Sequence, residues 1–319
     1  MTHPHAGNDG HHADGQPGAV IWGDSDRAAL VALMRLKPKS GDWSKLTEQV
    51  IECGSAFELW SADHPESLFG SDPDAALMAT ARRDVDEWKH MPFDFHTFRD
   101  SSYPDQLRSV RQMPPVVFTH GKLIHNEVGI SVVGSRKASQ SGLEFARDVA
   151  YALVEHDVSV IAGLAAGIDT AAHCAALEAG GRTVAVLGNG LDYVYPRSNQ
   201  ELQAEVASRG MLLTHFLPEY APTRWSFLAR NVTMSAYGAA TVVVEAGEHS
   251  GTRTQAREAV AHGRPVILNS TVMQTTDWAR RLTEEPGVYV ASTPSEVIGH
   301  VGTILAHRRT VESWLSASE

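Results

Sequence analysis

The stretch "VSVIAGLAAGIDTAAHCAALEAGGRTVAVLG", Val158 to Gly188, decides the fold. It opens on a short apolar run, "VSVIAG", and closes on another, "RTVAVLG". Between them lies a small-residue segment of helical length, Ile168 to Ala179. Two strands that are apolar throughout, joined by a helix, form a parallel unit covered on both faces. Gly163 and Gly167 sit at the first seam, where a chain must turn sharply or come close to something. Asp169 follows at once, and a carboxylate there must either cap the helix or touch a ligand.

The same alternation extends outward. Strands are expected at "PVVFTHG", 129–135, 158–163, 182–188, 211–216, 240–246, 264–269 and 287–292. Helices are expected at 141–156, 168–179, 198–209, 226–236, 250–262 and 276–285. The expected fold class is α/β, a Rossmann-like doubly wound, mostly parallel sheet, with ligands beyond the carboxyl ends of its strands. Ahead of it, Leu30, Leu33, Met34, Leu46, Val50 and Ile51 recur at helical spacing, broken at Pro38, Ser40 and Gly41. The expected organisation is therefore a disordered His/Gly-rich tail over 1–25, a small helical domain over 26–98, a Rossmann-like domain over 99–308, and a ragged C-terminal tail over 309–319. The stretch "PFDFHTFRDSSYPDQL" reads as the linker between the two domains.

Composition narrows the function. Hydrophobic residues at 43% and charged residues at 20% are ordinary for a globular chain, and no apolar run reaches the ~18 residues of a membrane span. The N-terminus lacks the basic and apolar regions of a secretory signal, and its Gly and Pro hold no geometry for a metal. Cys53 and Cys174 are far apart, which fits a reducing cytoplasm and disfavours disulfide or zinc frameworks; Cys174 reads as a buried packing residue. No cofactor, metal or membrane partner is expected. The net charge of −11 argues against strong general affinity for polyanions.

Four strand ends carry polar chemistry and should share one rim. In "VVGSRKASQSG", Gly134 allows the turn, Ser135 and Arg136 offer a hydroxyl and a fork of donors, and Ser139 or Ser141 can cap the next helix. Gly163, Gly167 and Asp169 follow the spacing G-x-x-x-G-x-D, which is not the dinucleotide fingerprint. In "LGNGLDYVYPRSNQEL", Tyr193 and Tyr195 offer a stacking face or simply seal the loop. In "VVVEAGEHSGTRTQAREAV", Glu245 ends a strand, and Ser250, Gly251 and Thr252 open a helix whose amides can cradle an anion. His173 lies four residues after Asp169 on the same helix face, where an Asp–His pair would act as a polarised base or a structural bond.

Taken together these blocks resemble the DprA/Smf DNA-processing proteins. The likeness runs from Tyr103 to Val297 through "YPDQL", "PPVVFTHGKL", "VVGSRKASQSG", "GLAAGIDTAAH", "AVLGNGLDYVYPRSN", "RWSFLARNVTMS" and "VVVEAGEHSGT". The resemblance implies a Rossmann-like fold that binds single-stranded DNA, often as a homodimer, and hands it to a recombinase, with a SAM-like domain in front. It also implies a DNA-contacting pocket made by Gly134, Ser135, Arg136, Gly163, Gly167, Asp169, Arg230, Asn231, Ser250 and Gly251. Thr252 and Tyr195 complete the expected set. The chain departs from that pattern where Ala166, Ala229 and Val232 stand in place of basic residues, which thins the grip on a polyanion.

Three readings of the rim follow. The first is a binding module for single-stranded or locally opened DNA. The second is a hydrolase of an N-glycosidic bond, a DNA glycosylase in a setting such as phage defence, in which Asp169 and Glu245 stabilise an oxocarbenium ion or position water. In "SGTRTQ", Gln255 stands where nucleotide phosphoribohydrolases of G-T-x-x-E type carry a Glu. The third is a signalling module that senses a small nucleotide.

Overall fold

The computed structural model describes residues 22–36, 43–64 and 73–316. The tail expected over 1–25 falls outside them as far as residue 21, as does the break expected at Pro38, Ser40 and Gly41. Four helices come first: α1 (Asp24–Leu36), α2 (Ser44–Cys53), α3 (Ala56–Asp63) and α4 (Pro73–Trp88). Helix α1 thus starts two residues before the expected boundary, with Asp24 and Asp26 in its first turn, where acids suit the positive end of the helix dipole.

Within the expected linker lies a strand, β1 (Asp94–Thr97). Its four residues, Asp-Phe-His-Thr, hold one apolar side chain and are too few to stand out as a periodic signal. It pairs antiparallel with β2 (Val116–Gly121), and His96 meets Thr119 Oγ1 at 3.0 Å and Ser102 Oγ at 2.8 Å. A single-turn helix, α5 (Asp105–Arg108), connects the two strands.

The remainder alternates. It runs β3 (Gly129–Gly134), α6 (Gln140–Glu155), β4 (Ser159–Ala162), α7 (Ile168–Glu178), β5 (Thr183–Val186), α8 (Gln200–Arg209), β6 (Met211–Thr214) and α9 (Arg224–Tyr237). It continues with β7 (Ala240–Glu245), α10 (Gly251–Ala261), β8 (Val266–Asn269), α11 (Ser270–Thr275), α12 (Asp277–Leu282), β9 (Val288–Ala291) and α13 (Pro294–Ser316). The last helix continues past residue 308 because "TILAHRRTVESWLS" contains no Gly or Pro to stop it.

One nine-stranded sheet results, in the order β1-β2-β6-β5-β4-β3-β7-β8-β9. Strands β3 to β9 are mutually parallel, while β2 runs antiparallel to β6. Side chains alternate between two cores, as the period of two requires. Ile130, Val132, Val160, Val242 and Val244 point to one face, under α6, α7 and α13. Val133, Ile161, Val184, Val186 and Val243 point to the other, into a core continuous with the N-terminal helices. Trp88 of α4 joins that core edge-on to Phe118 of β2, with ring centroids 4.9 Å apart.

This is a doubly wound, Rossmann-like sheet with a mostly parallel body. From β3 the chain winds through β4, β5 and β6 to one side, then returns to place β7, β8 and β9 on the other. The switch therefore lies between β3 and β7, and a crevice opens beyond their carboxyl ends. Among the described residues, no helix is long and apolar enough to cross a membrane.

Candidate functional site

At that switch point lies a cleft of about 990 Å³. It is bounded by the loop after β3, the turn after β4, the first turns of α9 and the start of α10. Gly134, Ser135, Arg136, Asp169, Tyr195, Arg230, Asn231, Ser250, Gly251 and Thr252 all line it. Gly163 and Gly167 lie immediately behind this lining, and both are needed as glycines. A Cβ on Gly163 would come within 1.7 Å of the Arg230 guanidinium, and one on Gly167, where φ is +83°, within 2.3 Å of the Ser135 carbonyl.

The β4–α7 turn explains Asp169. Leu164 is fully buried with φ at +58°, a left-handed conformation that a branched side chain resists. The Asp169 carboxylate accepts from the amides on either side, Gly163 N at 2.9 Å and Ala165 N at 3.4 Å. Asn199 Nδ2 donates to the Leu164 carbonyl at 2.9 Å. Asp169 thus clasps the turn that precedes its helix rather than capping α7, whose cap position is Gly167. Burial pushes its carboxyl above the usual carboxylate range, and the nearby Arg230 opposes that shift.

Arg230 on α9 is 4% exposed. Its Nη1 donates to the carbonyls of Gly163 at 2.5 Å, just past β4, and Val186 at 2.7 Å, the last residue of β5. Burial lowers its pKa to about 10, so it remains a cation at neutral pH. Asn231 accepts from Arg230 Nε at 3.0 Å and reaches the Gly251 carbonyl at 3.5 Å, tying α9 to the start of α10.

The opposite lip is open. Arg136 is exposed, with its guanidinium over the Phe227 ring at 4.9 Å, and Tyr195 packs on the same ring at 5.0 Å. Ser135 Oγ accepts from Lys137 N at 3.1 Å, which holds the loop in a local turn. Ser250 caps α10 by accepting from Thr252 N at 3.2 Å, and a Cβ on Gly251 would meet nothing nearer than 3.9 Å. The first turn of α10 therefore faces open space, with its dipole end toward the cleft. Lys137 and Arg224 add cations to the rim. A protein of net charge −11 thus presents a locally basic cleft.

Other expected residues stand elsewhere. Glu245 does not line the cleft: its carboxylate accepts from Ser139 N at 3.1 and 3.2 Å and from the Ser139 hydroxyl. Ser139 in turn caps α6, so Glu245 fastens the end of β7 to the start of α6. The Asp169–His173 pair is replaced by a bond across the layer, His173 Nδ1 to Thr183 Oγ1 of β5 at 2.6 Å. Burial lowers the His173 pKa to about 3, so its ring is neutral. Cys174 is half-buried rather than packed away.

Sequence reasoning missed Lys137, Arg224, Phe227 and His249 in the cleft. Lys137 sat inside a quoted motif, but Arg224 and Phe227 reach the rim because Thr223 and Ser226 form a reciprocal cap that fixes where α9 begins. Gln255, noted for its place in "SGTRTQ", is 2% exposed and lines the cleft, with no partner for its Nε2 among the described residues.

Comparison with known proteins agrees with this architecture. Residues 94–293 match the family model of DNA recombination-mediator protein A. The chain is 34% identical over 217 residues to Protein Smf of Synechocystis sp., covering 66% of this chain and 54% of that protein. It is 34% identical over 211 residues to DNA processing protein DprA of Streptococcus pneumoniae, covering 64% of this chain and 74% of that one. A relative described as a DNA processing protein DprA in Mycobacterium tuberculosis is 40% identical over 186 residues, covering 57% of this chain and 47% of that one. The chain thus spans about half the length of the first and third of these. The X-ray structure of DprA from Streptococcus pneumoniae superposes with a TM-score of 0.67 at 26% identity, over 86% of this chain and 95% of that one. DNA processing protein A from Helicobacter pylori, studied for its single-stranded DNA binding mode, shares the fold with a TM-score of 0.58 at 21% identity, over 66% of this chain and 97% of that one.

Proposed function

The chain belongs to the DNA recombination-mediator protein A family, and on that premise we propose that its cleft holds single-stranded or locally opened DNA by the phosphates. One observation carries the reading: Arg136, exposed and stacked on Phe227, shares a single cleft with the open first turn of α10. Both recognise a phosphate oxygen, one by charge and a donor fork, the other by amides and a dipole. Arg230 and Asp169 act behind them by shaping the turn that forms the floor. Tyr195 offers a π-face at the lip for a base. The helices of residues 26–98 are proposed as a SAM-like accessory domain. Delivery of the strand to a recombinase, pairing with a second copy and a cytoplasmic setting are parts of the same proposal.

Fluorescence polarisation with a short labelled oligothymidylate tests it. Wild-type protein should bind saturably at low salt. Arg136→Ala should weaken binding about tenfold and flatten the log–log salt dependence by about 0.7. Absence of any wild-type shift at low salt removes the reading.

The glycosidic hydrolase reading retains Asp169, a buried carboxyl held toward its protonated form in the cleft. Its second carboxylate, Glu245, is occupied at the start of α6. Alkali-labile breaks in base-modified DNA after incubation, lost in Asp169→Asn, would support that chemistry; intact strands would remove it.

A further inference from the structure

The loop between β6 and α9, residues 215–223, brings Pro222 and Thr223 to the rim of the cleft and delivers Arg224 there. Past Thr214 the ladder no longer fixes the chain, so turns and side chains must place it. On one side the loop is stitched to the segment after β5. Gly190 N donates to the Tyr220 carbonyl at 2.8 Å, and Asp192 N to the Pro218 carbonyl at 3.1 Å. On the other side the N-terminal helices hold it at two points. Arg35 of α1 places Nη2 at 2.6 Å from Asp84 of α4 and at 2.7 Å from Glu219 of the loop. Trp43, just ahead of α2, meets Phe216 edge-on with ring centroids 5.9 Å apart, and Phe216 stacks on Tyr220 at 4.7 Å. Trp43 and Phe216 are both buried, so this second contact excludes water as well as setting ring angles.

Helix α9 itself is set off from those helices. Trp225, Ala229 and Val232 line a second cavity of about 270 Å³, whose other walls include Trp43 and Pro114. Arg224 and Phe227 line the cleft, whereas Trp225 lines this second cavity and Leu228 lines both. The first turns of α9 thus border open space on two sides, where packing resists displacement less than in a filled interior. Their place depends on the loop that leads into them, and the loop depends in part on Arg35 and Trp43.

Resting on the reading of the cleft as a strand site, we infer that the N-terminal helices position its rim: Arg35 and Trp43 hold the β6–α9 loop, and through it they aim Arg224 at a phosphate of the bound strand. Arg35, Trp43 and Glu219 do not line the cleft, so they act on the strand only through the loop. Electrostatics gives this inference a sign. Glu219 is an acid on the approach to a basic cleft, so by charge alone its removal strengthens the hold on a polyanion. Loss of the brace weakens it instead.

The test is fluorescence polarisation of the full chain with a short labelled oligothymidylate over a range of salt. Arg224→Ala should weaken binding about fivefold and flatten the log–log salt dependence by about 0.7. Glu219→Ala removes a side chain that is 53% exposed, which leaves the core intact. It should weaken binding about threefold and flatten the salt dependence in the same sense. The two changes combined should bind no more weakly than Arg224→Ala alone, since both remove one contact. A change that merely unfolded part of the protein would lower its active fraction and leave the salt slope of the remainder as it was. Trp43→Leu should act in the same direction as Glu219→Ala, and where it fails to fold Glu219→Ala decides alone. If Glu219→Ala binds as wild type does or more tightly, or if its loss multiplies with that of Arg224→Ala, the positioning role is overturned while the phosphate cleft stands. Arg224→Ala with wild-type affinity and salt slope overturns it equally. If wild-type protein binds no strand at low salt, the cleft reading fails and the positioning role falls with it.

Discussion

Two acid–arginine arrangements, each built on a buried acid, sit at opposite edges of the same sheet. At the amino edge, Arg182 grips Glu127 with two bonds, 2.6 and 3.1 Å, and the Tyr237 hydroxyl donates to the same carboxylate at 3.0 Å. At the carboxyl edge, Asp169 and Arg230 are both buried, yet Asp169 accepts from backbone amides while Arg230 donates to two backbone carbonyls and to the Asn231 side chain. Among the described residues no ion pair joins them. The first arrangement closes on itself and locks the starts of β3 and β5. The second is kept apart by the turn it stabilises, so a carboxyl and a guanidinium both remain beside the cleft. A carboxyl and a guanidinium give a staple in one place and a poised floor in the other, and the difference is made by what intervenes.

The largest expected effect tests the staple. Arg182→Ala leaves Glu127 buried without its partner and should cost about 3–5 kcal/mol in urea unfolding, with strand affinity of the folded protein unchanged. A loss below about 1 kcal/mol would mean that the amino edge does not depend on the pair.

The second tests the interior behind the floor through pH. Burial lowers the pKa values of His173 and His215 to about 3. The unfolded chain takes up protons below pH ~6.5 that the native rings refuse, so stability falls as pH drops from about 6.5 toward 3. At pH 5 the loss should approach 2 kcal/mol for each ring. The raised carboxyl of Asp169 works with the opposite sign, losing stability as pH rises above the ordinary carboxylate range. Unfolding curves at pH 7 and pH 5 measure the balance, and His173→Gln should remove its own share of the slope. A curve that is flat between those values contradicts the neutral rings.

Arg230→Met comes next. It strands the Gly163 and Val186 carbonyls and should cost about 2–3 kcal/mol. Unlike the change at Arg182, it should also weaken strand binding, because the turn it supports forms the cleft floor. Equal strand affinity in wild type and variant would separate the floor from function.

Glu245→Gln is the smallest. A neutral amide can still accept from Ser139, so stability should fall by about 0.5–1 kcal/mol and strand affinity should hold within about twofold. Loss of a chemical activity on DNA in this variant would return Glu245 to the catalytic role expected from its position at a strand end.

How far these features were legible depended on how local they were. Strands β3, β4, β5 and β7 declared themselves because each is apolar on both faces, and the glycine seams marked where they end. Strand β1 did not, since four residues with a single apolar side chain on an edge resemble a loop. At the cleft, Ser135, Arg136, Ser250 and Gly251 followed from their place after strands. Arg224 and Phe227 did not, because their arrival depends on the pitch and start of α9. The acid at 245 was visible while its partner was not: Ser139 lies 106 residues earlier, brought close only by pairing of β3 with β7.

By itself, then, the sequence determined the α/β class, the family and the rim on which chemistry would gather, because apolar periodicity and glycine placement act over a few residues. Only the tertiary structure decided which acid faces the cleft, which histidine bonds which strand, and where a second cavity opens behind α9. Those outcomes depend on strand order and helix rotation, which bring together side chains that no spacing in the chain connects.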